Sequence, residues 1–237
     1  MKQFLVGILL SLSFNISYAD NTIRIGIIDT GLSLEHSTNK LPICPSLSKS
    51  FVKGKEWHED DSSLHGTMVA NIIYESTEAS KNYCFVIYKV FDKTVKETNF
   101  AYNIIRALNS SITDKVNIIN LSFNGTEPIF LERQSVISAL NNKIIVVAAS
   151  GNEGNLFKNN ECGSYPACYD ARIIIVGAHK ENGDRESFSN AMPNMRNFFT
   201  ARGSYCIKDL CKKGTSFAAP RVTGNIVKIL NLKQGDI

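Results

Sequence analysis

The sequence predicts a three-layer α/β domain: a doubly wound, mostly parallel sheet with helices on both faces. Two observations carry this. Apolar, β-branched runs such as Ile23–Asp29 and Val116–Leu121 read as strands buried on both sides, and stretches with helical spacing of apolar residues separate them. The length of 237 residues, with 43% hydrophobic and 20% charged residues, suits one soluble globular domain. No linker, internal repeat or low-complexity segment divides the chain.

The first residues are expected to lie outside the fold. Met1-Lys2 is a short positive start, Phe4 to Phe14 is largely apolar, and Ser17-Tyr18-Ala19 places small residues where a signal peptidase reads. Residues 1–19 are therefore expected to be a secretory signal, and 20–237 the mature domain. The apolar run is well short of the ~20 residues a spanning helix needs. No membrane association is expected after cleavage.

The elements follow in order. Ile23–Asp29 is a strand, and Asn39–Ser63 is polar and irregular. His65–Glu75 has helical spacing, Cys84–Phe91 is strand-like, and Asn99–Ile112 is an amphipathic helix through Tyr102, Ile105, Leu108 and Ile112. Val116–Leu121 is a strand, Leu131–Asn141 a helix, and Lys143–Ala149 a buried strand. A loop rich in Gly, Asn and Cys runs from Ser150 to Asp170. Arg172–Val176 is another strand, and Thr215–Leu232 a helix. In such sheets the binding crevice lies beyond the carboxyl ends of the strands.

Net charge is +4, with no stripe of Lys or Arg, so a nucleic-acid surface is not expected. Six cysteines on an exported chain suggest disulfides. About 15 pairings are possible for six cysteines. Cys162/Cys168 and Cys206/Cys211 fit short loops, which leaves Cys44 with Cys84. Zinc is the competing reading, but no C-x-x-C occurs and His179 lies near no cysteine in sequence.

Four segments carry candidate chemistry. Asp29 ends a buried strand before the Thr30-Gly31 turn, where a carboxylate is rigidly held; it could equally serve only to cap that turn. His65 stands at a helix start beside Gly66 and could act as a general base near neutral pH. Ser216, in Gly214-Thr215-Ser216-Phe217-Ala218-Ala219-Pro220, opens a helix whose dipole favours negative charge. Pro220 cannot donate a helix hydrogen bond and so frees a carbonyl near Ser216. Asn152, in Ser150-Gly151-Asn152-Glu153-Gly154, could donate to an oxyanion. Singly, each also fits a structural role. In the order acid, histidine, amide, serine they form a specific constellation.

On these residues the chain resembles the subtilases, the subtilisin-like serine peptidases. The resemblance runs through Asp29-Thr30-Gly31, His65-Gly66-Thr67, Gly151-Asn152-Glu153-Gly154 and Gly214 to Pro220. Further matches are Asn120-Leu121-Ser122, Tyr165-Pro166-Ala167, Val176-Gly177-Ala178 and Ser187-Phe188-Ser189-Asn190. The acid–histidine–serine order is the one known for subtilisin itself.

The resemblance implies an exported serine endopeptidase with Ser216 as nucleophile, His65 as base and Asp29 as its orienting partner. Asn152 and the Ser216 N–H would form the oxyanion hole. Ser122, Phe123, Asn124 and Gly125 would pair with substrate as an added strand. With Ala149–Asn152, including Gly151, and Gly163–Tyr165, they would line the pocket for the residue before the cut. A cis peptide before Pro166 is also implied.

Expected partners are protein or peptide substrates, and a monomer is the expected state. No cofactor is expected. Calcium is common in relatives, and Asp60-Asp61 and Glu153 could supply oxygens, but no dense ligand loop occurs and no metal is assigned. Only Asp20–Thr22 stands between the expected cleavage site and the first strand, which leaves no room for a pro-segment, and 21 residues follow Ser216. The alternative function is a non-enzymatic relative that keeps the fold to bind a partner. A different hydrolase class, the α/β-hydrolases, would need G-x-S-x-G with the acid and histidine after the serine. Ser216 does not fit that frame.

Overall fold

The computed structural model describes residues 22–38, 41–59, 63–77, 80, 82–93, 97–157 and 161–235. The expected signal at residues 1–19 and the pair Asp60-Asp61 lie outside them.

Seven parallel strands form the central sheet in the order β2-β3-β1-β4-β5-β6-β7. They are β1 (Ile23–Asp29), β2 (Lys49–Ser50), β3 (Tyr83–Lys89), β4 (Ile118–Leu121), β5 (Ile145–Ala149), β6 (Ile174–His179) and β7 (Phe198–Arg202). Four helices cover it: α1 (His65–Thr77), α2 (Glu97–Thr113), α3 (Phe130–Asn141) and α4 (Ala219–Gly235). The period-2 alternation of strand side chains sorts the core into two layers. Ile23, Ile25, Ile27, Phe85 and Ile87 pack with Val69 and Ile73 of α1 and Val222 and Ile226 of α4. Ile28, Val86, Tyr88 and Ile119 pack on the other face with Ile104 and Leu108 of α2 and Val136 and Leu140 of α3. The expected three-layer α/β architecture is thus the one observed.

Several boundaries differ from expectation. The strand expected from Arg172 begins at Ile174 because Asp170 draws Arg172 into a turn: its Oδ1 accepts from the Arg172 N–H at 2.9 Å and from Nε at 2.8 Å. β2 is a two-residue edge strand inside the irregular segment, and only Phe199 of β7 is buried, so neither shows a long apolar run. β8 (Ser204–Ile207) and β9 (Leu210–Lys213) form an antiparallel hairpin apart from the main sheet.

The largest correction concerns the last helix. Residues 215–232 do not form one helix opened by Ser216. Thr215–Phe217 is a short 3₁₀ turn, and α4 starts at Ala219. The ring of Pro220 would clash with the carbonyl four residues back, which is that of Ser216, in a continuous α-helix. In the first turn of a separate helix its missing N–H costs nothing.

The disulfides are Cys44–Cys84, Cys162–Cys168 and Cys206–Cys211, which use all six cysteines. Cys206 and Cys211 are direct cross-strand partners in the β8–β9 hairpin. The Tyr165–Pro166 peptide is cis. Among the described residues no helix is long and apolar enough to cross a membrane.

Candidate active site

The chemistry collects at the carboxyl ends of the central strands. Asp29 is the last residue of β1 and is 2% exposed. Its Oδ1 accepts from the Thr30 N–H at 2.8 Å, and His65 Nδ1 lies 2.7 Å from the same oxygen. His65 is the first residue of α1, with a side chain 24% exposed. Two bonds set its place. The Ser63 hydroxyl accepts from the His65 N–H at 3.3 Å, and the Thr30 hydroxyl accepts from the Gly66 N–H at 2.8 Å. Gly66 permits the approach: a Cβ there would lie 2.2 Å from the Gly31 carbonyl oxygen.

A carboxylate accepts only, so the Asp29 contact fixes the neutral imidazole with its proton on Nδ1. Nε2 is then the basic nitrogen. The ring also packs on Phe217, with centroids 5.3 Å apart.

A cleft of about 320 Å³ joins these groups to Ser216. Asp29, His65, Ser216 and the segment Ser122, Phe123 and Asn124 border it, with Phe91 beside them. Ser216 is held from behind. Its carbonyl accepts from the Ser122 hydroxyl at 2.9 Å. That hydroxyl accepts from Asn120 Nδ2 at 2.8 Å, and Asn120 Oδ1 accepts from the Thr223 hydroxyl at 2.9 Å. The carbonyl freed by Pro220 is thereby satisfied through a buried chain running from α4 to β4.

Asn152 follows β5. Its Oδ1 accepts from the Thr215 N–H at 2.9 Å and from the Thr215 hydroxyl at 3.1 Å. Both contacts fall on the oxygen, which leaves the Nδ2 donor to face away from Thr215, one residue before Ser216. The Thr215 hydroxyl also accepts from the Gly151 N–H at 3.2 Å. Gly151 has φ +100°, and a Cβ there would lie 2.4 Å from Asn190 Nδ2, so glycine is required on both counts.

The expected substrate segment divides. Ser122, Phe123 and Asn124 border the cleft beyond the last paired residue of β4. Gly125 does not border it: its N–H donates to the Tyr165 carbonyl at 2.8 Å, and its own carbonyl accepts from the Tyr165 N–H at 2.9 Å. Of the four residues, Ser122–Asn124 are the ones that face the cleft. Phe123 stacks edge-to-face on Phe91 at 5.2 Å, which gives the cleft an aromatic wall.

Glu153 is held by neighbouring side-chain amides. It accepts from Asn124 Nδ2 at 3.1 Å and from Asn190 Nδ2 at 2.6 Å. Partial burial pushes its carboxyl up, but these hydrogen bonds outweigh that and hold it below its ordinary value. Among the described residues no three His, Cys, Asp or Glu side chains gather closely enough to hold a metal ion.

Sequence reasoning gave Thr30 only a place in a turn, Asn120 and Thr215 only places in matching motifs, and Phe91 and Thr223 no role at the site. Asn120 was the most findable. A lone amide within an apolar run ending at Leu121 must find partners if it is buried, and partners for it could have been sought. Thr223 lies on a later helix and carried no local signal.

Comparison with known proteins agrees with this architecture. Residues 20–236 match the model of the subtilase family. The chain is 30% identical over 226 residues to subtilisin DY of Bacillus licheniformis, covering 90% of this chain and 78% of that protein. It is 28% identical over 233 residues to the major intracellular serine protease of Bacillus subtilis strain 168, covering 90% and 69%. In fold it resembles a lanthipeptide protease, with a TM-score of 0.73 at 19% identity, covering 90% of this chain and 74% of that one. The epidermin leader peptide processing serine protease of Staphylococcus aureus superposes with a TM-score of 0.69 at 20% identity, covering 91% and 66%. With a family match over nearly its whole length and a parallel sheet that brings an aspartate, a histidine and a serine to one cleft, the chain belongs to the subtilase family of serine peptidases.

Proposed function

We propose that this chain is an exported serine endopeptidase in which Asp29, His65 and Ser216 act as the catalytic triad. The observation that carries the proposal is the 2.7 Å contact between Asp29 Oδ1 and His65 Nδ1 at the edge of the cleft that holds Ser216. The contact leaves His65 Nε2 basic. His65 takes the hydroxyl proton as Ser216 Oγ attacks the peptide carbonyl carbon. The imidazolium formed is stabilised by the buried Asp29 side chain beside it. The negative carbonyl oxygen is received by Asn152 Nδ2 and the Ser216 N–H. His65 then protonates the leaving amine as the C–N bond breaks. A water attacks the acyl-enzyme by the same route and returns the proton to Ser216.

The peptide lies as an added strand against Ser122–Asn124. Residues 1–19 direct export, and three disulfides suit that destination. The mature chain acts as a monomer on proteins or peptides.

The test is covalent labelling of the folded protein by an active-site-directed fluorophosphonate, together with cleavage of an unfolded protein substrate. Labelling and cleavage are expected in the wild type, both lost in Ser216→Ala, with activity falling in acid as His65 takes up a proton. Folded wild type that neither labels nor cleaves would establish the binding-protein alternative.

A further inference from the structure

The central sheet holds one buried charge for which the proposed chemistry gives no use. Lys89 ends β3, and its side chain is 0% exposed. Its Nζ donates to the Thr30 carbonyl at 2.6 Å and lies 3.3 Å from Asp92 Oδ2. Burying an ammonium is costly even when it is paired, and an apolar side chain would fill the strand end at less cost. What Lys89 holds is informative. Thr30 is a three-way joint: its N–H binds Asp29 Oδ1, its hydroxyl accepts from Gly66 beside His65, and its carbonyl is the Lys89 acceptor. Strand register sets Lys89 directly beside Asp29, and the Val90 N–H binds the Asp29 carbonyl at 2.8 Å.

We propose that Lys89 is a positioning residue for the Asp29–His65 pair: it clamps Thr30, whose amide and hydroxyl align the two partners, and its buried charge biases how readily the pair takes up a proton. This rests on the reading of His65 as the base. The sign follows from Coulomb's law: a fixed cation near the pair disfavours the imidazolium, and a nearby anion favours it. Among the described residues the charged groups around the joint are few. Asp29 lies on β1 and Asp92 follows β3. Lys49 on β2 is drawn to Asp114, 2.6 Å away. Lys212 of β9 donates to the Ser63 carbonyl just ahead of His65 at 2.5 Å. On the loop against Gly31, His58 is exposed and Lys55 pairs with Glu59 at 3.8 Å. The exposed groups are screened by solvent; Lys89 is not.

The experiment compares wild type, Lys89→Met and Asp92→Asn by steady-state kinetics from pH 5 to 9. Lys89→Met is expected to lower kcat about tenfold or more with KM within about twofold, because a displaced base costs rate while the substrate edge is untouched. Its acid limb should move to higher pH by on the order of half to one unit, and that of Asp92→Asn to lower pH. Opposite shifts distinguish this role from a purely structural one, which would only reduce the folded fraction. Unmoved limbs in both variants, or a loss confined to KM, would overturn it. If Lys89→Met does not fold, Asp92→Asn decides. The same shifts are read without turnover by NMR titration of the His65 ring in a Ser216→Ala background. A wild type in which Ser216 proves dispensable refutes the protease reading instead, and the ring titration still tests Lys89.

Discussion

Gly66→Ala probes the joint between β1 and α1 most directly. The new Cβ would stand 2.2 Å from the Gly31 carbonyl oxygen and 3.2 Å from the Thr30 hydroxyl. The first atom belongs to backbone, so helix and strand must part by about 1 Å to reach ordinary contact. Such overpacking costs about 1–3 kcal/mol. Parting also breaks the 2.8 Å bond from the Gly66 N–H to Thr30. A buried donor left unpaired adds about 1–3 kcal/mol. A loss near 4 kcal/mol is a large share of the ~5–15 kcal/mol that folded domains hold, and for a chain of this size it lowers Tm by roughly 10–15 °C. His65 is the adjacent residue, so the same displacement stretches its contact with Asp29 and should slow turnover by roughly 10²-fold. Scanning calorimetry and the rate of fluorophosphonate labelling check both numbers. A variant that melts within about 2 °C of wild type and labels at the wild-type rate would refute the close packing described.

Asn152→Ala should reduce kcat by about 10²–10³-fold, the loss known for such a donor in the related subtilisin, while KM changes little; equal losses in binding and turnover would exclude the oxyanion role. Glu132 is 5% exposed on α3, and burial raises its carboxyl above the usual range despite the Tyr169 hydroxyl donating at 3.1 Å. The folded state therefore holds this proton more tightly than the unfolded chain, and the stability it contributes in acid is lost as pH rises through the folded value. Glu132→Gln should thus raise Tm at pH 8, with the gain shrinking toward pH 4, and a gain independent of pH in calorimetry would count against it. Replacing Cys44 and Cys84 by Ala opens a 40-residue separation. The chain-entropy model puts that loss at about 4 kcal/mol, roughly twice that for either short bridge; denaturant unfolding of the three double variants should rank Cys44/Cys84 as the most destabilised.

The sequence was most legible where one element determines its own environment. Ile23–Asp29 is buried on both faces, and its apolar run marks it without reference to anything distant. The positions of Asp29, His65 and Asn152 were legible for the same reason, since each stands at the end of a strongly patterned element. Edge and outlying strands were not. β2 and β7 expose part of their surface, and β8–β9 has no share in either main core layer, so no periodicity betrays them. Ser216 was found as a position but misjudged as a conformation, because the conflict lies between Pro220 and a carbonyl four residues away. The pairing of Gly125 with Tyr165 was not legible, because that partner stands forty positions on and only the fold brings it near. Thr30 was read only as a turn residue, because its contacts with Gly66 and Lys89 are distant in sequence and only that with Asp29 is local.

The buried chain from Thr223 through Asn120 and Ser122 to the Ser216 carbonyl has a mechanical consequence. It anchors the backbone of Ser216 to the middle of the sheet rather than to the far portion of its own helix. Between the distal end of α4, where Leu232 faces solvent, and the turn carrying Ser216, the helix is pinned to β4 at Thr223. The proposed nucleophile thus takes its backbone position from β4 at the centre of the sheet as well as from the helix that follows it.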